Sequence, residues 1–291
     1  MTCVVRLGDT AGMTIQQLGN KAANLSFLKM RGFPIPDGYC LSPDFNGCTA
    51  EEWQEKLVAA LKGLPSPWAV RSSSNAEDSA SLAFPGIFYT ALGVRTTADA
   101  FIAIEKVKES ARSPLFLEYA RANHYSADLH MAVLVQSMVR AVASGVAFSQ
   151  HPVSGADVVT IDATLGLGEP LVSGMITPDN FEVDHNGMVT RVRIGSKKRK
   201  LILIEGALKT VETQLAERTS PSISDANLVK LAKLVRQIAD LFGKPQDVEW
   251  ALDQQGEIAI LQARPITAIS QLPRGQSSCL PTTQSRSRQK A

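Results

Sequence analysis

The sequence predicts an α+β protein, and three observations carry that expectation. Apolar residues recur at helical spacing over 18–28, 51–62, 97–122 and 224–243. Short apolar runs bounded by Gly, Pro, Ser and Asn lie between and after those segments, and these read as strands. Hydrophobic residues make up 44% of the 291 positions and charged residues 20%, so the chain is able to bury a large core.

Taken in order, Leu18, Ala22, Leu25 and Leu28 form one helical face, and Gly32, Pro34, Pro36 and Gly38 end the helix and start a new element. Trp53, Leu57, Val58 and Leu61 lie on one side of a second helix. Pro65-Ser66-Pro67 is a turn, Trp68-Ala69-Val70 a short strand, and Ser72–Ser81 a loop of small polar residues. Phe88–Leu92 reads as a strand, and 97–122 as helix interrupted at Pro114. Residues 131–150 contain two strands separated by a turn, and Val158–Ala163 is another strand running into Gly166-Leu167-Gly168-Glu169. Residues 180–204 read as strands joined at Asn186-Gly187. Ser224-Asp225 caps a helix with Leu228, Leu231, Leu234, Val235 and Ile238 inward and Gly243 near its end. Two final strands follow, at 247–252 and 257–263, and residues 270–291 read as a disordered tail.

Composition excludes several classes. Thirty Lys+Arg against 28 Asp+Glu leave a net charge of +2, which argues against nucleic-acid binding by bulk electrostatics. No apolar run reaches the roughly 18 residues of a membrane span, and the N-terminus lacks a secretory pattern. The cysteines, at 3, 40, 48 and 279, form no CxxC pair and no Cys/His cluster. Structural zinc is therefore not expected, and reduced cysteines in a cytoplasmic setting are.

Some residues could carry chemistry. Arg71-Ser72-Ser73-Ser74, at the end of a strand, offers the donors that an oligophosphate needs; a surface arginine beside a polar turn explains it more simply when taken alone. Gln262 and Arg264 share one face of their strand, and a hairpin around 253–256 brings Glu249 near them. A carboxylate and an amide oxygen suit Mg²⁺ and Arg264 suits a phosphate; a surface Glu249–Arg264 salt bridge is the plainer alternative. The glycines at 166 and 168 form only a weak phosphate-binding signal, and Lys21 is by default a solvated lysine. Ser196-Lys197-Lys198-Arg199-Lys200 reads as a charged strand edge or hairpin facing solvent or an anionic ligand. None of His124, His130, His151 and His185 sits in a nucleophile arrangement, and His151 reads as structural.

Together these segments resemble one family. Gly19–Leu25 with Gly32–Tyr39, then Ala69–Asp78, Phe84-Pro85-Gly86 with Thr90, Val135–Val139, Ala143–Ser149, Gly166–Glu169 with Val172–Gly174 and Pro178-Asp179, Gly195–Lys198, Gln246–Trp250 and Gln262–Pro265 follow in order the motifs of the PEP/pyruvate-binding, ATP-grasp domain. That domain opens phosphoenolpyruvate synthase, pyruvate phosphate dikinase and rifampicin phosphotransferase.

The resemblance implies an ATP-grasp fold of two lobes with the nucleotide between them. An N-terminal lobe would span 1–130 and a C-terminal lobe 131–269. It also implies roles. Lys21 and Arg71 would bind the ATP phosphates, and Gly86 and Thr90 would lie in a lid over them. Gln136 would sit at the adenine side. Glu249 and Gln262 would hold Mg²⁺, and Arg264 would contact the phosphates where transfer occurs. Lys21, Arg71 and Arg264 are thus the expected catalytic set.

The chain departs from the family pattern in three ways. No histidine stands in the family's Gly-Gly-x-x-(Ser/Thr)-His-Ala context. The stretch from Lys21 to Arg71 is short, which implies a shortened N-terminal lobe. Pro85 replaces a small residue and is expected to stiffen the lid. The expected activity is an ATP- and Mg²⁺-dependent phosphotransferase acting on a small-molecule acceptor without an in-chain histidine domain. The alternatives are the ATP-binding part of a split system with its histidine on a separate chain, an ATP-grasp ligase forming an acyl phosphate, and a nucleotide sensor without catalysis. Neither nucleic acid nor membrane is an expected partner.

Overall fold

The computed structural model describes residues 3–42, 48–76, 87–122 and 129–266. The chain runs β1 (Val4–Arg6), α1 (Ile15–Met30), β2 (Gly38–Leu41), α2 (Ala50–Lys62), β3 (Trp68–Ser74), β4 (Thr90–Val94), α3 (Thr97–Ser110), α4 (Pro114–Ala122), β5 (Met131–Ser137), β6 (Ala141–Phe148) and β7 (Val159–Leu165). It continues with the one-turn α5 (Glu169–Val172), β8 (Asp179–Val183), β9 (Val189–Arg193), β10 (Arg199–Ile204), β11 (Ala207–Glu212), α6 (Leu215–Thr219), α7 (Asp225–Phe242), β12 (Gln246–Asp253) and β13 (Ile258–Pro265). The expected α+β class is the one observed. The tail, Gly86 and the motif residues 77–85, Pro85 among them, lie outside the described residues.

Two antiparallel sheets organise the molecule. The first has the order β1-β2-β5-β3-β4 and the second β13-β12-β6-β7-β8-β9; β10 and β11 form a separate hairpin. Because β5 pairs with β2 and β3, the first sheet extends to Ser137, one strand beyond the expected division at 130/131.

Strand alternation decides what each sheet face meets. Trp68 and Val70 of β3 and Val133 and Val135 of β5 pack with Trp53, Leu57 and Leu61 of α2 and Ile104 and Val107 of α3. The opposite face carries Ala69, Arg71, Gln136 and Thr90, since Ala69 pairs with Gln136 and Arg71 with Thr90. In the second sheet Val248, Trp250, Ile161 and Ala147 bury against Leu231, Val235 and Ile238 of α7. That helix begins where expected: the Ser224 hydroxyl accepts from the Asn227 amide, and Gly243 takes the left-handed conformation that ends it.

Helix α1 ties the sheets together. The Ala22 amide donates to the Ser73 hydroxyl of β3, and the Asn24 side chain donates to the Ala263 carbonyl of β13. Gly19 makes the approach possible. It sits at φ +68°, and a Cβ there would lie 1.9 Å from the Ser73 carbonyl oxygen.

Two expectations are corrected. Lys197, taken as part of a solvent-facing basic edge, is fully buried and ion-paired with the equally buried Asp179. Asp179 also accepts from the Gly195 and Ser222 amides, so hydrogen bonds replace the hydration its charge loses. Lys200 pairs with Glu217, and only Ser196, Lys198 and Arg199 of the run are exposed. The cysteines are not all reduced either: β1 and the start of α2 converge, and Cys3 is joined to Cys48 in a disulfide, while Cys40 is free and buried.

Candidate functional site

The two sheets face each other across a cleft of about 830 Å³. Lys21, Arg71, Thr90, Gln136, Glu249, Gln262 and Arg264 all line it. They are drawn from α1, β3, β4, β5, β12 and β13, and Gly86 is the one expected site residue outside the described chain.

The β12–β13 register builds the second sheet's share of the site. Glu249 stands opposite Gln262, and Asp247 opposite Arg264. These four side chains therefore share one face. The register slips between Glu249 and Trp250, which leaves Leu261 as an extra residue outside the pairing. Its free carbonyl accepts from Arg71 Nη1 at 2.8 Å.

Arg71 crosses the cleft from the first sheet. Its Nη2 donates to Glu249 Oε2 and to Gln262 Oε1, each at 2.9 Å. The Arg71 and Glu249 side chains are 15% and 20% exposed, so this is a largely desolvated pair and not a surface arginine beside a turn. The expected alternative of a Glu249–Arg264 bridge does not form. Glu249 bonds Arg71, while Arg264 Nε donates to Asp247 Oδ2 at 2.9 Å.

Lys21 is buried, and its ammonium donates to the Ser72 carbonyl at 3.0 Å, so it is not a solvated lysine. Gln136 is also buried; its amide donates to the carbonyl of Pro36, another residue of the cleft wall. Thr90 is exposed beside Arg71. Leu167 and Gly168 line the cleft near Ser144, whose hydroxyl donates to the Gly166 carbonyl. His151 is structural as expected: its Nδ1 accepts from the Val153 and Ser154 amides.

Asp247 was not singled out by sequence reasoning. Burial is the main influence on it and pushes its carboxyl above the usual range, against the pull of Arg264 and with a smaller push from Glu249. Alternation was the signal available, because Asp247 lies two residues before Glu249 on the same strand face.

The donor set can be tested against a divalent cation. One guanidinium nitrogen touches both Glu249 Oε2 and Gln262 Oε1, so these oxygens already converge on a single cationic position. Both are hard oxygen donors. Among the described residues no group of three or more His, Cys, Asp and Glu is placed to hold a metal by itself. Two protein oxygens, with the rest of the shell from phosphate and water, fit Mg²⁺ arriving with a nucleotide. No helix among the described residues is long and apolar enough to cross a membrane.

The family described as pyruvate phosphate dikinase, AMP/ATP-binding domain, matches residues 49–279. Rifampicin phosphotransferase of Streptomyces sviceus is 39% identical over 217 residues, covering 74% of this chain and 25% of its own length. The probable phosphoenolpyruvate synthase of Archaeoglobus fulgidus is 39% identical over 203 residues, covering 69% and 27%. The chain thus spans about a quarter of the length of these relatives. Among solved structures, the D-alanine-D-alanine ligase of Coxiella burnetii aligns with a TM-score of 0.39 at 11% identity, over 86% of this chain and 47% of that one. The extent of the family match, across most of the described chain, settles membership: the chain belongs to the pyruvate phosphate dikinase AMP/ATP-binding domain family.

Proposed function

We propose that this chain binds ATP with Mg²⁺ in the cleft and transfers a phosphoryl group from it to a small-molecule acceptor. The observation that carries the reading is the convergence of Arg71 with Glu249, Gln262 and Arg264 across two sheets, in a chain of an ATP-binding family. Glu249 and Gln262 would hold the metal, which neutralises phosphate charge when bound. Arg71 and Arg264 would supply bidentate donors to phosphate oxygens. Asp247 keeps the Arg264 fork oriented, and Lys21 adds a fixed positive charge from α1. Gln136 would border the base. Catalysis here consists of positioning and charge stabilisation, with no covalent role for the protein.

A second reading has the phosphoryl group pass first to a histidine on a separate domain or chain. None of the described histidines lines the cleft, and that observation favours it. Phosphorus NMR of the protein with ATP, Mg²⁺ and a metabolite panel tests both. AMP together with phosphate or a phosphorylated product supports dikinase-type transfer, and ADP with a phosphorylated product supports a simple kinase. Amine-dependent ADP formation identifies a ligase and refutes phosphotransfer to a small molecule. Tight binding without turnover favours the histidine relay.

A further inference from the structure

Away from the cleft, one cluster of nucleophilic and charged groups has no part in the proposed reaction. Cys3, just before β1, and Cys48, just before the Thr49 cap of α2, are disulfide-bonded across 45 residues of sequence. The Lys56 ammonium lies 3.3 Å from Cys48 Sγ and 3.8 Å from Cys3 Sγ. Lys56 is exposed and Cys48 half-buried, whereas Cys3 is fully buried. Solvent therefore reaches one sulfur, and a cation touches both. Of the charged groups on the same elements, Glu52 accepts from the Thr49 amide, Arg6 of β1 pairs with Asp37, and Glu51 and Glu55 are exposed on α2. Among the described residues Lys56 is the charged group in contact with the sulfurs.

We propose that Cys3–Cys48 is a thiol–disulfide exchange site for low-molecular-weight thiols, with Cys48 as the sulfur attacked and Lys56 as the group that sets its reactivity. A glutathione-type thiolate attacks Cys48 Sγ. The Cys3–Cys48 bond breaks, and Cys3 leaves as a thiolate beside the Lys56 ammonium. A second thiolate attacks the external sulfur of the mixed disulfide and expels the Cys48 thiolate, also beside Lys56. The balance is one protein disulfide and two thiols giving two protein thiols and one external disulfide. The two electrons come from the external thiols. Cys40 serves as a built-in control, because burial pushes its thiol up to about 12.

The experiment uses the 291-residue chain carrying Cys279→Ser, equilibrated in glutathione buffers of graded ratio, acid-quenched, alkylated and read by mass spectrometry. Cys3 and Cys48 are expected to convert together, with the mixed glutathione disulfide on Cys48 and Cys40 unmodified. After full reduction, alkylation of Cys48 should be half-maximal about one pH unit below the ordinary thiol value of ~8.5. Lys56→Met should raise that midpoint by about one unit, and Lys56→Arg should retain it. Lys56 is exposed on a helix, so neither variant threatens folding. The proposal is overturned if both cysteines alkylate without reductant, if glutathione is found on Cys3 instead, or if the Lys56→Met profile overlays the parent.

Discussion

Replacing Glu249 by Gln tests the link between the two sheets without changing its shape. The variant keeps an oxygen acceptor for Arg71 Nη2 and removes the charge. Arg71 retains its bonds to the Leu261 carbonyl and Gln262, at 2.8 and 2.9 Å. A hydrogen bond to a charged partner contributes about 1.5–3 kcal/mol, against roughly 0.5–1.5 for a neutral one. The partners are 15% and 20% exposed, so solvent screens the pair only in part, and the low half of the difference applies. Relief of Asp247, on which Glu249 is the smallest of four influences, offsets a little more. The expected loss is about 1 kcal/mol. At about 2–4 °C per kcal/mol for a chain above 150 residues, that lowers the melting temperature by about 2–4 °C. Urea denaturation of the parent, Arg71→Met, Glu249→Gln and the double variant isolates the coupling. A coupling energy within about 0.3 kcal/mol of zero refutes the reasoning.

Two further outcomes follow from buried charge. Lys197→Met leaves Asp179 buried without its counter-ion and should cost about 3–5 kcal/mol in urea unfolding; a loss below about 1 kcal/mol would show that the pair is not buried as described. Asp247 has a folded pKa raised above its unfolded value near 3.8, chiefly by burial, so its folded form holds the proton more tightly. The stability difference between parent and Asp247→Asn should therefore move against the parent as pH rises from 3.8 through the folded pKa, and then level off. A difference that is flat or moves the other way contradicts that assignment.

Much of the site was legible because strand alternation is a local rule. Gln262 and Arg264 lie two apart on one strand, and the Asp253–Gly256 turn brings Glu249 opposite Gln262. The same rule reaches Asp247, two residues before Glu249 on that face and opposite Arg264. What stayed hidden depends on contacts between distant segments. The bulge at Leu261 frees a carbonyl for an arginine 190 residues away, and no local pattern marks it. Lys197 looks like any member of a basic run until Asp179 and the Gly195 carbonyl enclose it. The pairing of Cys3 with Cys48 is set by where β1 and α2 meet, and spacing alone cannot supply that. Strand β1 is only three residues long, too short to show a period. Gly19 stood in a helical pattern, yet its left-handed backbone and close approach to Ser73 are what seat α1 on β3.

The central claim is that this cleft holds ATP together with Mg²⁺ through residues of both sheets. Calorimetric titration of ATP into the protein, with and without Mg²⁺, measures it directly. The account expects one site per chain, tightened by Mg²⁺. Both Gln262→Leu and Arg264→Ala should weaken it about tenfold or more, the equivalent of one lost charge-assisted contact. Absence of binding, or binding that neither Mg²⁺ nor either substitution alters, would contradict it.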